Sequence, residues 1–218
     1  MAEGKIIKAL SGFYYVLSDG KVTQCRGRGV FRKNKVNPLV GDYVEFQAEN
    51  ETDGYILKVF ERKNELVRPP IANVDQAILV FSAREPDFST ALLDRFLVLV
   101  ESKRIEPLIC ITKMDLLQTH EVAEIEAYVG HYRSFGYEVV ATSSKTEQGI
   151  EELFPFMKAK TSVFAGQSGV GKSSLLNVIN PELDLKTAMI SSHLGRGKHT
   201  TRHVELIDID NGLVADTP

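Results

Sequence analysis

The chain contains no tryptophan, only two cysteines, and no apolar run approaching membrane length. A membrane helix needs about 20 consecutive apolar residues. The opening MAEGKIIKAL also lacks the basic-then-apolar build of an export signal. No membrane partner and a cytoplasmic location are therefore expected. Cys25 and Cys110 stand far apart in unlike contexts, too few for a disulfide framework or a multi-cysteine zinc site, and both read as buried, reduced thiols. Nor is there an excess of charge: the formal net charge is -3, with 43% hydrophobic and 25% charged residues, the composition of an ordinary folded protein. The total implies no polyanionic partner. Locally the balance differs, because Lys21, Arg26, Arg28, Arg32, Lys33 and Lys35 share a segment without Asp or Glu.

At 218 residues the chain exceeds a modal domain of about 100 to 150, so two domains are expected, one of them small. From Lys5 to about Phe60, short β-type runs alternate with turn residues: GKIIKAL, GFYYVLS, the turn Asp19-Gly20, KVTQC, GDYVEFQ and GYILKVF. Roughly five strands in so short a span predict a small barrel, of which the OB-fold is the commonest. The segment RKNELVRPPIANV has little periodicity, and its Pro69-Pro70 pair is expected to continue neither a ladder nor a helix. The predicted division is a barrel over 1–66, a linker over 67–74 and a second domain over 75–218.

Beyond Val74, apolar strands alternate with amphipathic helices, the signal for βαβ units and a mostly parallel α/β sheet. DQAILVFS, PLICI, YEVVAT and TSVFA read as strands. Helices are expected over Ser89 to about Arg104, with Leu92, Leu93, Phe96, Leu97 and Val100 on one face, over Glu121 to Phe135, over Gly149 to Met157, and from Lys172 onward. In VELIDIDNGLVAD the pair Asn211-Gly212 signals a hairpin turn, so one antiparallel strand pair is expected at the sheet edge.

Gly166, Gln167, Ser168, Gly169, Val170, Gly171, Lys172 and Ser173 spell the phosphate-binding loop G-x-x-x-x-G-K-[ST], with Ser174 following. It lies between a strand and a helix, the context the motif requires. Glycines let main-chain N–H groups wrap phosphates, and the helix N-terminus adds partial positive charge. Lys172 is suited to the β- and γ-phosphates and Ser173 to Mg2+. Thr112, Lys113, Met114 and Asp115 follow the strand PLICI and resemble the guanine-reading [NT]-K-x-D motif. A carboxylate only accepts hydrogen bonds, so Asp115 can pair with the N1–H and 2-amino donors of guanine, whereas the N1 lone pair of adenine repels it. Thr112 replaces the more usual Asn. Ser143 and Ser144, in the TSSK segment after YEVVAT, resemble the loop whose main-chain N–H meets the guanine carbonyl oxygen. Alone, each of these strings also suits an ordinary strand-end loop or helix entry. Together they point to one guanine nucleotide, GTP or GDP, with Mg2+.

The segment Gly195 to Arg202 sits where a first switch loop belongs, and either Thr200 or Thr201 is suited to ligate the metal. Asp216, in the closing Asp-Thr-Pro, looks like the start of D-x-x-G, whose Asp holds the Mg2+ shell through water. Continuation of the native protein past Pro218 is accordingly expected. The base-reading strings precede the phosphate loop, the reverse of the usual order. An α/β domain reopened at one loop and rejoined at neighbouring termini keeps its packed core.

The permuted order, the barrel before it, and the strings CRGRGVFRKNK, GDYVEF, ANVDQ, LLDR, GQSGVGKSSLLN and GRGKHTTR resemble the small-ribosomal-subunit biogenesis GTPases called RsgA. The resemblance spans essentially the whole chain. It implies a barrel of the OB type, GTP hydrolysis late in small-subunit (30S) maturation, and His199 as the residue orienting the attacking water. Lys172 is the other catalytic candidate. Family members also carry a C-terminal zinc domain, for which this sequence holds no ligand set. The basic stretch suggests rRNA contact through Arg26, Arg28, Arg32, Lys33 and Lys35, with Phe31, Tyr14 and Tyr15 as stacking candidates. Expected partners are the small subunit and its rRNA, met as a monomer. Ser168 occupies a position that Ras-like proteins keep as glycine, where a side chain crowds an arginine finger. Two rivals are an ATP-dependent P-loop enzyme and an RNA-binding assembly module that uses nucleotide only to sense state.

Overall fold

The computed structural model describes residues 1–27, 31, 36–183 and 204–216. They fall into two compact units: 1–74 with 204–208 and 213–216, and 75–183 with 209–212.

In the first unit, β1 (Ala2–Leu10), β2 (Phe13–Ser18) and β3 (Lys21–Gly27) run as a meander, antiparallel at each step. The strands β4 (Tyr43–Ala48) and β5 (Gly54–Val59) pair with each other, β5 joins β3 in parallel, and β4 returns to β1. The circuit closes, so these five strands form a barrel without a free edge among themselves. Alternation sends Ile6, Val16, Cys25, Val44, Phe46 and Ile56 inward, all buried. Phe31 belongs with them, being only 8% exposed, and its ring lies beside Gly27 together with that of Tyr14. The stacking role expected for Phe31 is therefore corrected, because a ring in the core offers no face to a base.

The proline-rich segment also differs from expectation. Glu65–Val67 (β6) and Pro70–Ala72 (β7) form a two-stranded ribbon in which Val67 opposes Pro70. A proline lacks an N–H, yet at the turn end of a two-stranded ribbon none is required of it. Side chains tie the ribbon down. The Arg62 guanidinium donates to both oxygens of Asp42 (2.7 and 2.8 Å), to Glu65 and to the Asn37 carbonyl. Asp42 also accepts from Leu39 N at 2.7 Å, and its side chain is fully buried. The Asn64 side chain exchanges two hydrogen bonds with the main chain of Val74.

In the second unit, β8 (Gln76–Ser82), β9 (Glu106–Thr112), β10 (Glu138–Ala141) and β11 (Thr161–Ala165) make parallel neighbours in the order β10-β9-β8-β11. Every residue of β8 is buried, as suits a strand covered on both faces. The helices are α1 (Thr90–Ser102), α2 (Thr119–Ser134), the short α3 (Phe154–Met157) after a 3-10 turn at Glu151–Leu153, and α4 (Lys172–Ile179). Ser89 caps α1 by accepting from Leu92 N, and Leu93, Leu97 and Val100 bury the expected face. Since the strands are parallel, the loops leaving β8, β9, β10 and β11 gather at one edge of the sheet.

The hairpin of β12 (Glu205–Ile209) and β13 (Gly212–Asp216) turns one residue earlier than its sequence suggests. Asp210 and Asn211 take positive φ (49° and 62°), leaving Gly212 to open β13. A Cβ on Gly212 would fall 2.3 Å from the Met157 carbonyl, so glycine is needed there for close approach rather than for turning. β12 pairs antiparallel with β1 at Glu205 and Lys8, whose side chains form an ion pair at 2.8 Å.

Candidate nucleotide site

The phosphate loop starts under tension of space. Gly166 follows β11 with φ 155°, and a Cβ there would lie 2.1 Å from the carbonyl oxygen of Val80 on β8. Only glycine lets the chain leave the sheet along this path. Gly171, at φ 97°, then caps α4, which buries Leu175, Leu176 and Ile179 and leaves its first main-chain N–H groups turned back toward the loop. Lys172 is partly buried, and its Nζ donates to the carbonyls of Gly166 (2.8 Å) and Gln167 (2.6 Å). Desolvation lowers its pKa below the usual lysine range. An ammonium curled over this loop can exchange carbonyl oxygens for phosphate oxygens with little movement. Gln167, Ser168 and Gly169 form the exposed rim, while Ser173 and Ser174 lie half-buried on the first turn of α4.

Thr112 closes β9 and is 1% exposed. Its hydroxyl donates to the carbonyl of Val170 at 2.5 Å, so the first residue of the base-reading string is fastened to the phosphate loop. Lys113 takes a left-handed conformation (φ 60°), its stem runs beside Gly171, and its Nζ donates to the Glu85 carbonyl in the loop after β8. Asp115 sits in the 3-10 turn Met114–Leu116. Its Oδ1 accepts from the Ser143 hydroxyl at 2.6 Å, and Met114 N donates to the Thr142 carbonyl. Ser143 Oγ accepts in turn from Thr146 N at 3.2 Å. One carboxylate oxygen is thus held by the neighbouring loop.

Three of the expected strings therefore meet: Gly166 to Ser174, Thr112 to Asp115, and Ser143 with the half-buried Ser144. Sequence reasoning missed the Ser143 hydroxyl as a partner of Asp115 and the carbonyls of Val170 and Glu85 as acceptors. The [ST] next to a base-reading loop hints at the first; a main-chain carbonyl leaves no mark in a sequence. Arg26 is exposed on β3 with its guanidinium 5.2 Å from the Phe13 ring centroid. Asp216 closes β13. His199, Thr200, Thr201, Arg28, Arg32, Lys33 and Lys35 lie outside the described residues. Both cysteines are free and buried, and burial raises their thiols to about 11 for Cys25 and about 12 for Cys110. Among the described residues no three His, Cys, Asp or Glu side chains gather as a metal cage. Mg2+ asks for none, since it binds through one or two protein oxygens plus phosphates and water, and a hydroxyl at Ser173 suits it.

The family model described as the RsgA GTPase matches residues 59–218, well over half of the chain. This chain belongs to the RsgA GTPase family. The RsgA N-terminal domain model matches residues 3–56 as well. Relatives named small ribosomal subunit biogenesis GTPase RsgA include those of Geobacillus sp. (strain WCH70), 69% identical over 218 residues, and Bacillus subtilis (strain 168), 66% identical over 223 residues. The chain is covered in full by both and spans 74% and 75% of their respective lengths. Among solved structures, YloQ, described as a circularly permuted GTPase, is 59% identical with a TM-score of 0.84. YjeQ from Thermotoga maritima is 39% identical with a TM-score of 0.86. All of this chain is matched in each, against 71% of YloQ and 74% of YjeQ. In this chain the phosphate loop likewise follows the base-reading strings.

Proposed function

We propose that the chain hydrolyses GTP to GDP and phosphate in late maturation of the small ribosomal subunit, touching rRNA through its N-terminal barrel. The observation that carries the nucleotide reading is the Thr112–Val170 hydrogen bond, which sets the base-reading turn beside the phosphate loop. Membership of the RsgA family supports the reaction and the ribosomal setting. The barrel is read as OB-type, over 1–66, with 67–74 joining it to a permuted GTPase domain over 75–218. The circuit β1-β2-β3-β5-β4-β1 supports that reading.

Phosphoryl transfer needs positioning and charge neutralisation more than covalent chemistry. Lys172 and the main-chain N–H groups of the loop and α4 hold the phosphates, and Asp115 accepts from guanine N1–H and the 2-amino group. The Ser173 hydroxyl would hold Mg2+. When bound, the ion neutralises charge on the β- and γ-phosphate oxygens. His199 orients the attacking water. Ser168, at the rim, crowds an arginine finger, so stimulation comes by another route. Unassisted turnover in such sites is on the order of 10^-4 to 10^-2 per second.

GTP turnover measured with salt-washed small subunits, beside large ones, tests the whole reading. Acceleration by the small subunit alone is expected; no acceleration by either would sink the enzymatic role and favour a nucleotide sensor. His199→Ala should abolish the accelerated rate, and an unchanged kcat would remove it from catalysis. Neutralising Arg26, Arg28, Arg32 and Lys33 together should flatten the salt dependence of subunit binding. An unaltered slope would make the basic stretch a bystander.

A further inference from the structure

Glu121, in the first turn of α2, reaches two loops that flank the base-reading turn. Its Oε2 accepts from Gln118 N at 2.8 Å, just past Asp115, and completes a capping box at the start of α2. Both of its oxygens also accept from Arg84 Nη1, at 2.8 and 2.9 Å. Arg84 precedes Glu85, whose carbonyl takes the Lys113 ammonium. A capping box is complete without an arginine, so helix capping does not explain why the guanidinium reaches across from the loop after β8. Between that loop and α2 lies a cleft of about 350 Å3, lined by both Arg84 and Glu121. Phe88 against Tyr128, with ring centroids 5.4 Å apart, gives the loop a separate attachment that survives loss of the ion pair.

We propose that Arg84 and Glu121 form a clamp that positions the guanine-reading turn, acting on Lys113 through the Glu85 carbonyl and on Asp115 through the capped residue Gln118. The clamp sets how long guanine nucleotide stays and how sharply guanine is preferred. It rests on the guanine-binding reading above. Both are positioning residues, acting through Lys113 and Asp115. The acidic charge at the helix N-terminus is favourable in its own right, and the Gln118 N–H, followed by the Arg84 charge, holds Glu121 below the usual carboxylate range. The Arg84 and Glu121 side chains are 41% and 26% exposed, so solvent and salt weaken the pair.

The test uses the full chain with fluorescent GDP and IDP, because inosine lacks the 2-amino group that Asp115 reads. Arg84→Ala and Glu121→Gln should each release GDP roughly threefold to fivefold faster at low salt, the scale of a partly exposed ion pair. The preference for GDP over IDP should fall. The double variant should be no worse than the worse single, Arg84→Lys should recover part of the loss, and high salt should bring wild type toward the variants. Melting temperatures within a few degrees of wild type would show that each variant folds. Unchanged release, additive singles, or faster release at an unaltered GDP to IDP preference would each overturn the clamp. Wild type that favours ADP over GDP would overturn the guanine reading itself, and the clamp with it.

Discussion

The hydroxyl of Ser143 donates to Oδ1 of Asp115 at 2.6 Å, which joins the loop after β10 to the turn after β9. A hydrogen bond to a charged group is worth about 1.5 to 3 kcal/mol, and here it orients the carboxylate before any ligand arrives. Ser143→Ala should therefore weaken GDP binding about tenfold with little change in ADP binding. Equilibrium titration with fluorescent nucleotide reads both; equal losses for the two bases would contradict orientation of Asp115.

Thr112→Val keeps the shape of the side chain and removes the donor to Val170. The carbonyl is then left short of a partner in a site that is 1% exposed, a cost of about 1 to 3 kcal/mol. Calorimetry should report a lower melting temperature, and nucleotide release should accelerate for any base. Retained stability would mean that water or another donor replaces the hydroxyl.

Lys172 offers a pH test with a definite sign. Its folded pKa lies below the ordinary lysine value, so between the two the unfolded chain binds more protons, and stability gains from this group as pH rises through that window. Phosphate should reverse the shift by favouring the ammonium. Titration of the Lys172 side chain by NMR should give a lower pKa in the free protein than with GDP bound, and the opposite order would refute the desolvation account.

In the first unit, Arg62→Ala would strand the buried Asp42 carboxylate with only the Leu39 N–H among the partners described above. Breaking a buried pair in this way destabilises by about 3 to 5 kcal/mol. Urea unfolding should show the loss, while Glu65→Ala, at the exposed end of the same network, should change little. Similar effects from both would show that the buried pair carries no special weight.

Much of this arrangement is legible in the sequence. The buried run of β8, the helical face of Leu93, Leu97 and Val100, and the strand-loop-helix frame of the phosphate loop all follow from periodicity and glycine placement. What escapes is whatever depends on contact between distant segments. Phe31 looks like a stacking residue because its neighbours are basic, but burial is decided by the closed barrel. Pro70 reads as a breaker, and the ribbon spares it by asking for no donor. Gly212 reads as the turn, yet its role comes from the Met157 carbonyl, over fifty positions earlier. Likewise nothing local marks Arg84, since its partner lies far along the chain in α2.

β8 carries no residue of the nucleotide-binding strings, yet its main chain and that of the loop after it meet the site at several points. The Val80 carbonyl limits Gly166, the Phe81 carbonyl lies 3.3 Å from the Thr112 hydroxyl, Ala83 N donates to the Thr112 carbonyl, and Glu85 beyond it receives Lys113. The strand acts as a mould against which both halves of the pocket are cast. Its apolar side chains can drift among similar shapes, whereas a bulge or slip in its path would distort the base-side and phosphate-side contacts together.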